Sequence, residues 1–204
     1  MEYTIGRAKS VLVWIKRFSY EFDDPWVIKR IFETFVIPIT EYGSQVWSPK
    51  YNIDIAKIES VQKQFLIYAF RKFDWYRNEN FTLPSYKHRL LFFHMNTLED
   101  RRKINQILFI MSLINGKIKS SKLLGELNIK VRNNEYKIRT RQRNNENRNR
   151  NHYLLNENVK DTENPFIVMK REFNECYHLI DFNQSLDLIK KNLKNYFALN
   201  FRSN

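Results

Sequence analysis

From Ile53 to Lys72 apolar residues return every three or four positions, at Ile55, Ile58, Val61, Phe65, Tyr68 and Ala69. Such steps gather on one side of a 3.6-residue helix, whereas a strand alternates its faces every second residue. Lys57, Glu59, Lys63 and Gln64 fall on other faces. Asn52 stands where an N-cap side chain would accept from a free backbone N–H. The lead-in is Glu41-Tyr-Gly-Ser-Gln-Val-Trp-Ser-Pro49. Its Trp47 is too large an apolar group to leave in water, so it is expected to anchor a turn between two helices. A packed helix pair is the expected centre of the fold.

The same periodicity extends in both directions. Ile5, Ala8, Leu12, Ile15 and Phe18 outline a first amphipathic helix, with Lys9, Lys16 and Arg17 off its stripe. Asp24-Pro25 starts a second, the aspartate as cap and the proline at the position where a missing N–H costs nothing. Its inward residues are expected to be Ile28, Ile31, Phe32, Phe35, Ile39 and Tyr42, with a kink or break near Thr34–Pro38 caused by Pro38. These helices make a three-helix unit packed around Ile31, Phe35, Trp47, Ile58, Val61 and Phe65. Asp74 to Pro84, with Trp75, reads as a polar connection, and Pro84 to His94 as a short helix. Thr97-Leu-Glu-Asp100 resembles a capping box. It opens a helix through Ile104, Ile107, Leu108, Met111 and Ile114 that Gly116 ends. Ser121 to Glu126 adds a turn. Asn164-Pro165 repeats the cap-plus-proline start ahead of Phe166, Met169, Phe173 and Tyr177. A last helix from about Ser185 turns Leu186, Ile189, Leu193 and Phe197 inward.

The fold class is therefore all-α, and the glycine content agrees. The 204 residues hold 4 glycines, far fewer than the ~7% of an average chain on which tight β-turns draw. Four segments follow: 1–77 as the three-helix unit, 78–129 as a helical extension, 130–163 as a basic Asn/Arg-rich connector, and 164–204 as a helical pair. The connector is expected to be flexible because it lacks apolar periodicity.

Charge points to a partner. The chain carries a formal +13, which suits a polyanion and most simply nucleic acid. Between Lys130 and Asn151 eight basic residues face Glu135 and Glu146 alone, a local +6 in about a tenth of the chain. Arg139, Arg141 and Arg143 would share one side of an extended segment and could track phosphates. A solvated connector whose arginines keep it soluble fits the composition equally well.

Catalytic constellations fail on spacing. Phe22-Asp23-Asp24 resembles the paired carboxylates that hold two Mg²⁺ in polymerases, but helical patterns flank it and Pro25 follows at once, so capping is the reading adopted. His88, His94, His152 and His178 show no metal-ligand spacing, and no phosphate-binding loop or nucleophile elbow is present. The single Cys176 forms no internal disulfide and reads as a small buried residue. No charge-free apolar run approaches ~18 residues, and the N-terminal apolar segment is broken by Lys9, Lys16 and Arg17. The expectation is an intracellular protein, nuclear or cytoplasmic, without a membrane span.

Several segments resemble the C-terminal part of reverse transcriptases of non-LTR (LINE-type, jockey-like) retrotransposons. They are Val13-Trp-Ile-Lys-Arg-Phe-Ser19, Phe35-Val-Ile-Pro-Ile-Thr-Glu-Tyr-Gly43, Val46-Trp-Ser-Pro49 and Ile58-Glu-Ser-Val-Gln-Lys-Gln-Phe65. Leu83-Pro-Ser-Tyr86, Asn96-Thr-Leu-Glu-Asp-Arg-Arg102 and Asp181-Phe-Asn-Gln-Ser185 look like that family's tail. The resemblance implies that the three-helix unit is a thumb, the bundle that holds template–primer duplex. Duplex, RNA–DNA or DNA, would then be the partner, met by Lys57, Lys63, Arg71 and Lys72 or by Arg139, Arg141 and Arg143. It also implies that fingers and palm would lie upstream of Met1, with the Mg²⁺ the family uses. The chain alone is then expected to be inactive and to hold no cofactor. A helical protein-interaction module, or a non-functional remnant of a decayed element, is the alternative.

Overall fold

A computed structural model describes residues 1–49, 51–72, 82–131, 153–155 and 164–203. The fold is mostly helical, in the order α1 (Glu2–Phe18), α2 (Pro25–Phe35), α3 (Ile37–Glu41), α4 (Asn52–Phe70), α5 (Tyr86–Phe92), α6 (Leu98–Ile114), α7 (Ser121–Glu126), α8 (Pro165–Cys176) and α9 (Leu186–Ser203). A 3₁₀ turn, Ser19–Glu21, follows α1. Two compact units divide the chain: 1–102 with 194–204, and 103–193. The divisions fall inside α6 and α9. Trp75, the connection around it and Arg139, Arg141 and Arg143 lie outside the described residues.

In the first unit α4 is the buried element. Ile58, Val61, Phe65 and Ala69 form the expected stripe, but Glu59, Gln62, Leu66 and Phe70 are buried beside it. The helix is thus covered on two sides: Glu59 lies off the stripe as expected, but on a face that is buried as well. Phe65 stacks on Phe32 of α2 with ring centroids 3.9 Å apart. Leu12 and Ile15 of α1, Ile28 of α2 and Leu90 of α5 complete the centre of this core.

The starts and breaks follow local chemistry. Asp24 Oδ1 accepts from the Trp26 N–H at 2.8 Å, with Pro25 in the first turn of α2. That bond is what the capping reading of the Asp-Asp pair requires. The expected break comes at Val36, between α2 and α3, and Pro38 sits in the first turn of α3. Asn52 does not cap α4. The helix already includes it, and Tyr51 precedes it with no side-chain cap; Asp54 supplies negative charge to the first turn instead. Thr97 and Asp100 pair as expected at the start of α6: the Asp100 N–H donates to Thr97 Oγ1 at 3.0 Å, and the Thr97 hydroxyl donates to Asp100 Oδ2 at 2.7 Å.

Three expected core residues lie outside. Phe18 and Phe35 are 52% and 49% exposed, and Tyr42 is more open still. On α1 the steps from Leu12 through Ile15 lead next to Ser19, which is buried; its hydroxyl reaches the Ile15 carbonyl at 2.6 Å and the Tyr68 hydroxyl at 2.9 Å. On α2 the inward line runs Ile28, Phe32, Val36, one residue past Phe35. In both helices the periodicity was sound, and a neighbour one position later lay nearer the stripe's centre.

Trp47 does anchor the turn before α4. Its Nε1–H donates to the Tyr42 carbonyl at 2.7 Å, and its ring packs against the core. Gly43 makes the close approach possible: its φ is +67°, and a Cβ there would stand 3.1 Å from Trp47 Nε1. Gly43→Ala is therefore expected to cost roughly 1–2 kcal/mol for the left-handed backbone, before any shift of the indole. Urea denaturation of the variant checks this; an unchanged midpoint would refute it.

The second unit adds the other helices and one short ladder. β1 (Ile129–Val131) pairs antiparallel with β2 (Tyr153–Leu155), Ile129 opposite Leu155. This pairing departs from the expected connector, into which both strands reach. The Asn174 side chain of α8 secures Leu155 on both sides, accepting from its N–H and donating to its carbonyl, each at 2.9 Å. Asn164 caps α8 as expected, accepting from the Phe166 N–H at 2.9 Å. Phe166, Met169, Phe173 and Cys176 point inward from α8. Burial, and then Glu172 and Glu175, push the Cys176 thiol up to about 11, so at neutral pH it is an inert thiol.

Candidate functional site

The four cations expected on α4 do not form one surface. Lys57 and Lys63 are both exposed, but six residues apart they leave the helix in different directions. Lys57 Nζ lies 3.8 Å from Asp54 Oδ1, and Lys63 Nζ sits over the Tyr86 ring at 5.1 Å. Arg71 is exposed at the end of the helix. Lys72 is tied to the turn after α1, donating to the Tyr20 carbonyl at 2.7 Å and lying over the Tyr20 ring.

A denser set of cations lies on α1, though on more than one side of it: Arg7 and Lys9, two residues apart, point nearly opposite ways. From Gly6 to Phe18 this helix carries Arg7, Lys9, Lys16 and Arg17 and no acidic residue. Arg7, Lys9 and Arg17 are exposed, and among the described residues none of the three makes an ion pair. The sequence held the signal, since all of them fall off the apolar stripe in a stretch free of carboxylates. The weight given to the denser arginine run at 130–151 obscured it.

The side of α1 that bears Arg7 also carries aromatic rings. Arg7, Trp14 and Phe18 follow at steps of seven and four, and so share one side of the helix. Trp14 and Phe18 stack with centroids 5.0 Å apart and planes 8° from parallel. Phe35 of α2 meets Trp14 edge-on at 5.8 Å, and Phe22 meets Phe18 at 5.6 Å. At the end of α1 a shallow cleft of about 700 Å³ opens between Lys16, Arg17, Phe18, Tyr20, Glu21 and Phe22.

Glu59 and Gln62 form a second polar grouping, which the sequence reading missed. Both are buried, and three apart on α4 they face α5 and the start of α6. The Tyr86 hydroxyl donates to Glu59 Oε1, and the Leu98 N–H donates to Glu59 Oε2 at 3.0 Å. Gln62 Nε2 donates to the Asn96 carbonyl at 3.0 Å and to the Tyr86 hydroxyl at 3.2 Å. Leu98 is the first residue of α6, so the carboxylate lies at the positive end of a helix dipole. Arg102, 2% exposed, opposes its charge and places Nη2 3.5 Å from the Thr40 carbonyl. Burial nonetheless pushes the Glu59 carboxyl above its ordinary range, against the pull of Tyr86, Leu98 and Arg102. The Tyr86 hydroxyl is raised as well, by burial and then by Glu59. Arg101 pairs with Glu41 alongside. The cluster ties three helices together.

Among the described residues no group of three or more His, Cys, Asp or Glu is placed to hold a metal ion, and no helix is long and apolar enough to cross a membrane. His88 and His94 are exposed; His94 stacks on Trp26 with centroids 6.2 Å apart. Comparison with protein-family models, with curated proteins and with solved structures finds no match.

Proposed function

We propose that the chain is a helical nucleic-acid-binding unit, resembling the thumb and following region of a reverse transcriptase of non-LTR retrotransposons, that grips template–primer duplex through its phosphates. The observation that carries the reading is the stretch Gly6–Phe18 of α1, which holds no acidic residue and whose exposed Arg7, Lys9 and Arg17 are not neutralised by carboxylates among the described residues. Exposed cations without counter-charges are available to phosphates, and such contacts gain free energy by releasing condensed counterions. The excess of +13 supplies the long-range attraction.

The test is the salt dependence of binding to an RNA–DNA or DNA duplex. Each phosphate contact contributes about −0.9 to the slope of log K against log salt on duplex DNA. Replacing Arg7 and Arg17 together with Gln should flatten that slope by roughly 1–2 units and leave sequence preference unchanged, because phosphate contacts position a protein without reading bases. Lys9, on the other side of α1 from Arg7, is the control. An unchanged slope would remove α1 from the interface. The same replacement at Arg139, Arg141 and Arg143 then decides whether the basic run takes its place, and Lys57 with Lys63 is the third set.

A second reading, a helical protein-interaction module, is favoured by the exposed rings of Trp14, Phe18 and Phe35. Salt-insensitive self-association through that surface, without nucleic-acid binding, would establish it over the first.

A further inference from the structure

We infer that the aromatic cluster on α1 is a stacking platform for unpaired bases, so that the chain holds a single-stranded segment beside the duplex. The inference rests on the nucleic-acid reading above and names a further ligand for the same face. Four rings from two helices and a turn gather where a globular unit normally keeps polar groups: Trp14 48% exposed, Phe18 52%, Phe35 49% and Phe22 37%. None of them is needed inside, because the core line passes through Ser19 and Val36 instead. The Trp14 and Phe18 rings lie nearly parallel, and Phe22 continues the row towards the cleft at the end of the helix.

The charge around the rings selects the occupant. Arg7 shares their side of α1, and Lys16 and Arg17 border the cleft with Phe18. Glu21 is also on that border, and the two cations outweigh it. A partner that fits must present flat apolar groups and negative charge together, at short and regular spacing. A single strand of nucleic acid does so at every nucleotide: its bases stack on aromatic faces whatever their identity, and its phosphates meet the cations. In a duplex the bases are already stacked on each other, so the rings have nothing to offer it.

The experiment compares labelled oligothymidylate with a blunt duplex, using the full chain. The double variant W14A/F18A should weaken oligothymidylate binding by roughly tenfold per ring lost, while duplex affinity and its salt slope stay as in the wild type. Both rings are half exposed, so circular dichroism should be unaltered and melting should fall by only a few degrees. The ring-preserving variant W14F/F18Y should keep affinity within about twofold, because the stacking faces remain. Wild type that binds duplex but not oligothymidylate would overturn the inference and leave the duplex reading in place. So would W14A/F18A binding oligothymidylate as wild type does, including a case where the variant instead abolishes self-association or adhesion to anionic vesicles. If wild type binds neither nucleic acid, both readings fall together.

Discussion

Phe65→Ala is expected to cost the first unit about 3–5 kcal/mol, the range for removing a fully buried aromatic ring. Phe65 is 0% exposed and lies flat against Phe32, itself 0% exposed, with planes 11° apart. Truncation at Cβ removes both the transfer free energy of the ring and its stacking partner. It also opens a cavity that α2 and α4 cannot close, because α4 is held on its other side by the Glu59 and Gln62 hydrogen bonds. Phe35→Ala is the control. The sequence pattern expected Phe35 in the same core, yet it lies half exposed and touches Trp14 by an edge, so its loss should stay within about 1 kcal/mol. Equilibrium urea denaturation of the two variants separates these outcomes. Equal costs would mean that the packing of α2 against α4 is assigned wrongly.

The contrast between the two phenylalanines shows what the sequence could convey. Helix starts were legible wherever a cap and its first turn are local: Asp24-Pro25, Thr97 with Asp100, and Asn164-Pro165 each make their hydrogen bonds within three residues. The stripe of α4 was legible for the same reason, since the period of a helix is fixed by its own backbone. The edges of a stripe were not. Whether Phe18 or Ser19 points inward depends on the position of Tyr68, 49 residues beyond Ser19, and no local rule reports that. Glu59 failed for a related reason. A carboxylate is placed outside by default, and only the convergence of Tyr86 and Leu98 from later helices reverses this. The candidate interface was half legible: Lys9, Lys16 and Arg17 of α1 were seen to lie off the stripe, and Arg7 was not singled out. What periodicity cannot count is exposed aromatic surface, because a ring at a stripe's edge reads as core. The pairing of β1 with β2 had no local signal, being only three residues long on each side.

Glu59 supplies the other large effect. Glu59→Ala would leave two buried donors, the Leu98 N–H and the Tyr86 hydroxyl, without their acceptor. At about 1–3 kcal/mol for each orphaned group, the loss should be about 2–6 kcal/mol. Glu59→Gln removes the charge but also turns one of the two acceptor oxygens into an NH2 donor. That change in hydrogen bonding is the same at every pH, so the pH dependence of the variant isolates the electrostatics. The pH dependence then has a definite sign. Burial holds the Glu59 carboxyl above its unfolded value, so the folded state favours the protonated form. The stability this group contributes is fully present below the unfolded pKa, near 4.5, and is lost as pH rises through the folded value. Gln does not titrate. The stability of Glu59→Gln relative to wild type should therefore rise with pH across that window and level off above it. Chemical denaturation of the pair at a series of pH values reads the difference directly, since titration of every other group is common to both. A difference that instead falls as pH rises would show that Arg102, with the Tyr86 and Leu98 hydrogen bonds, stabilises the carboxylate more than burial penalises it. The cluster would then act as a buried ion pair, with Arg102 as indispensable to it as Glu59.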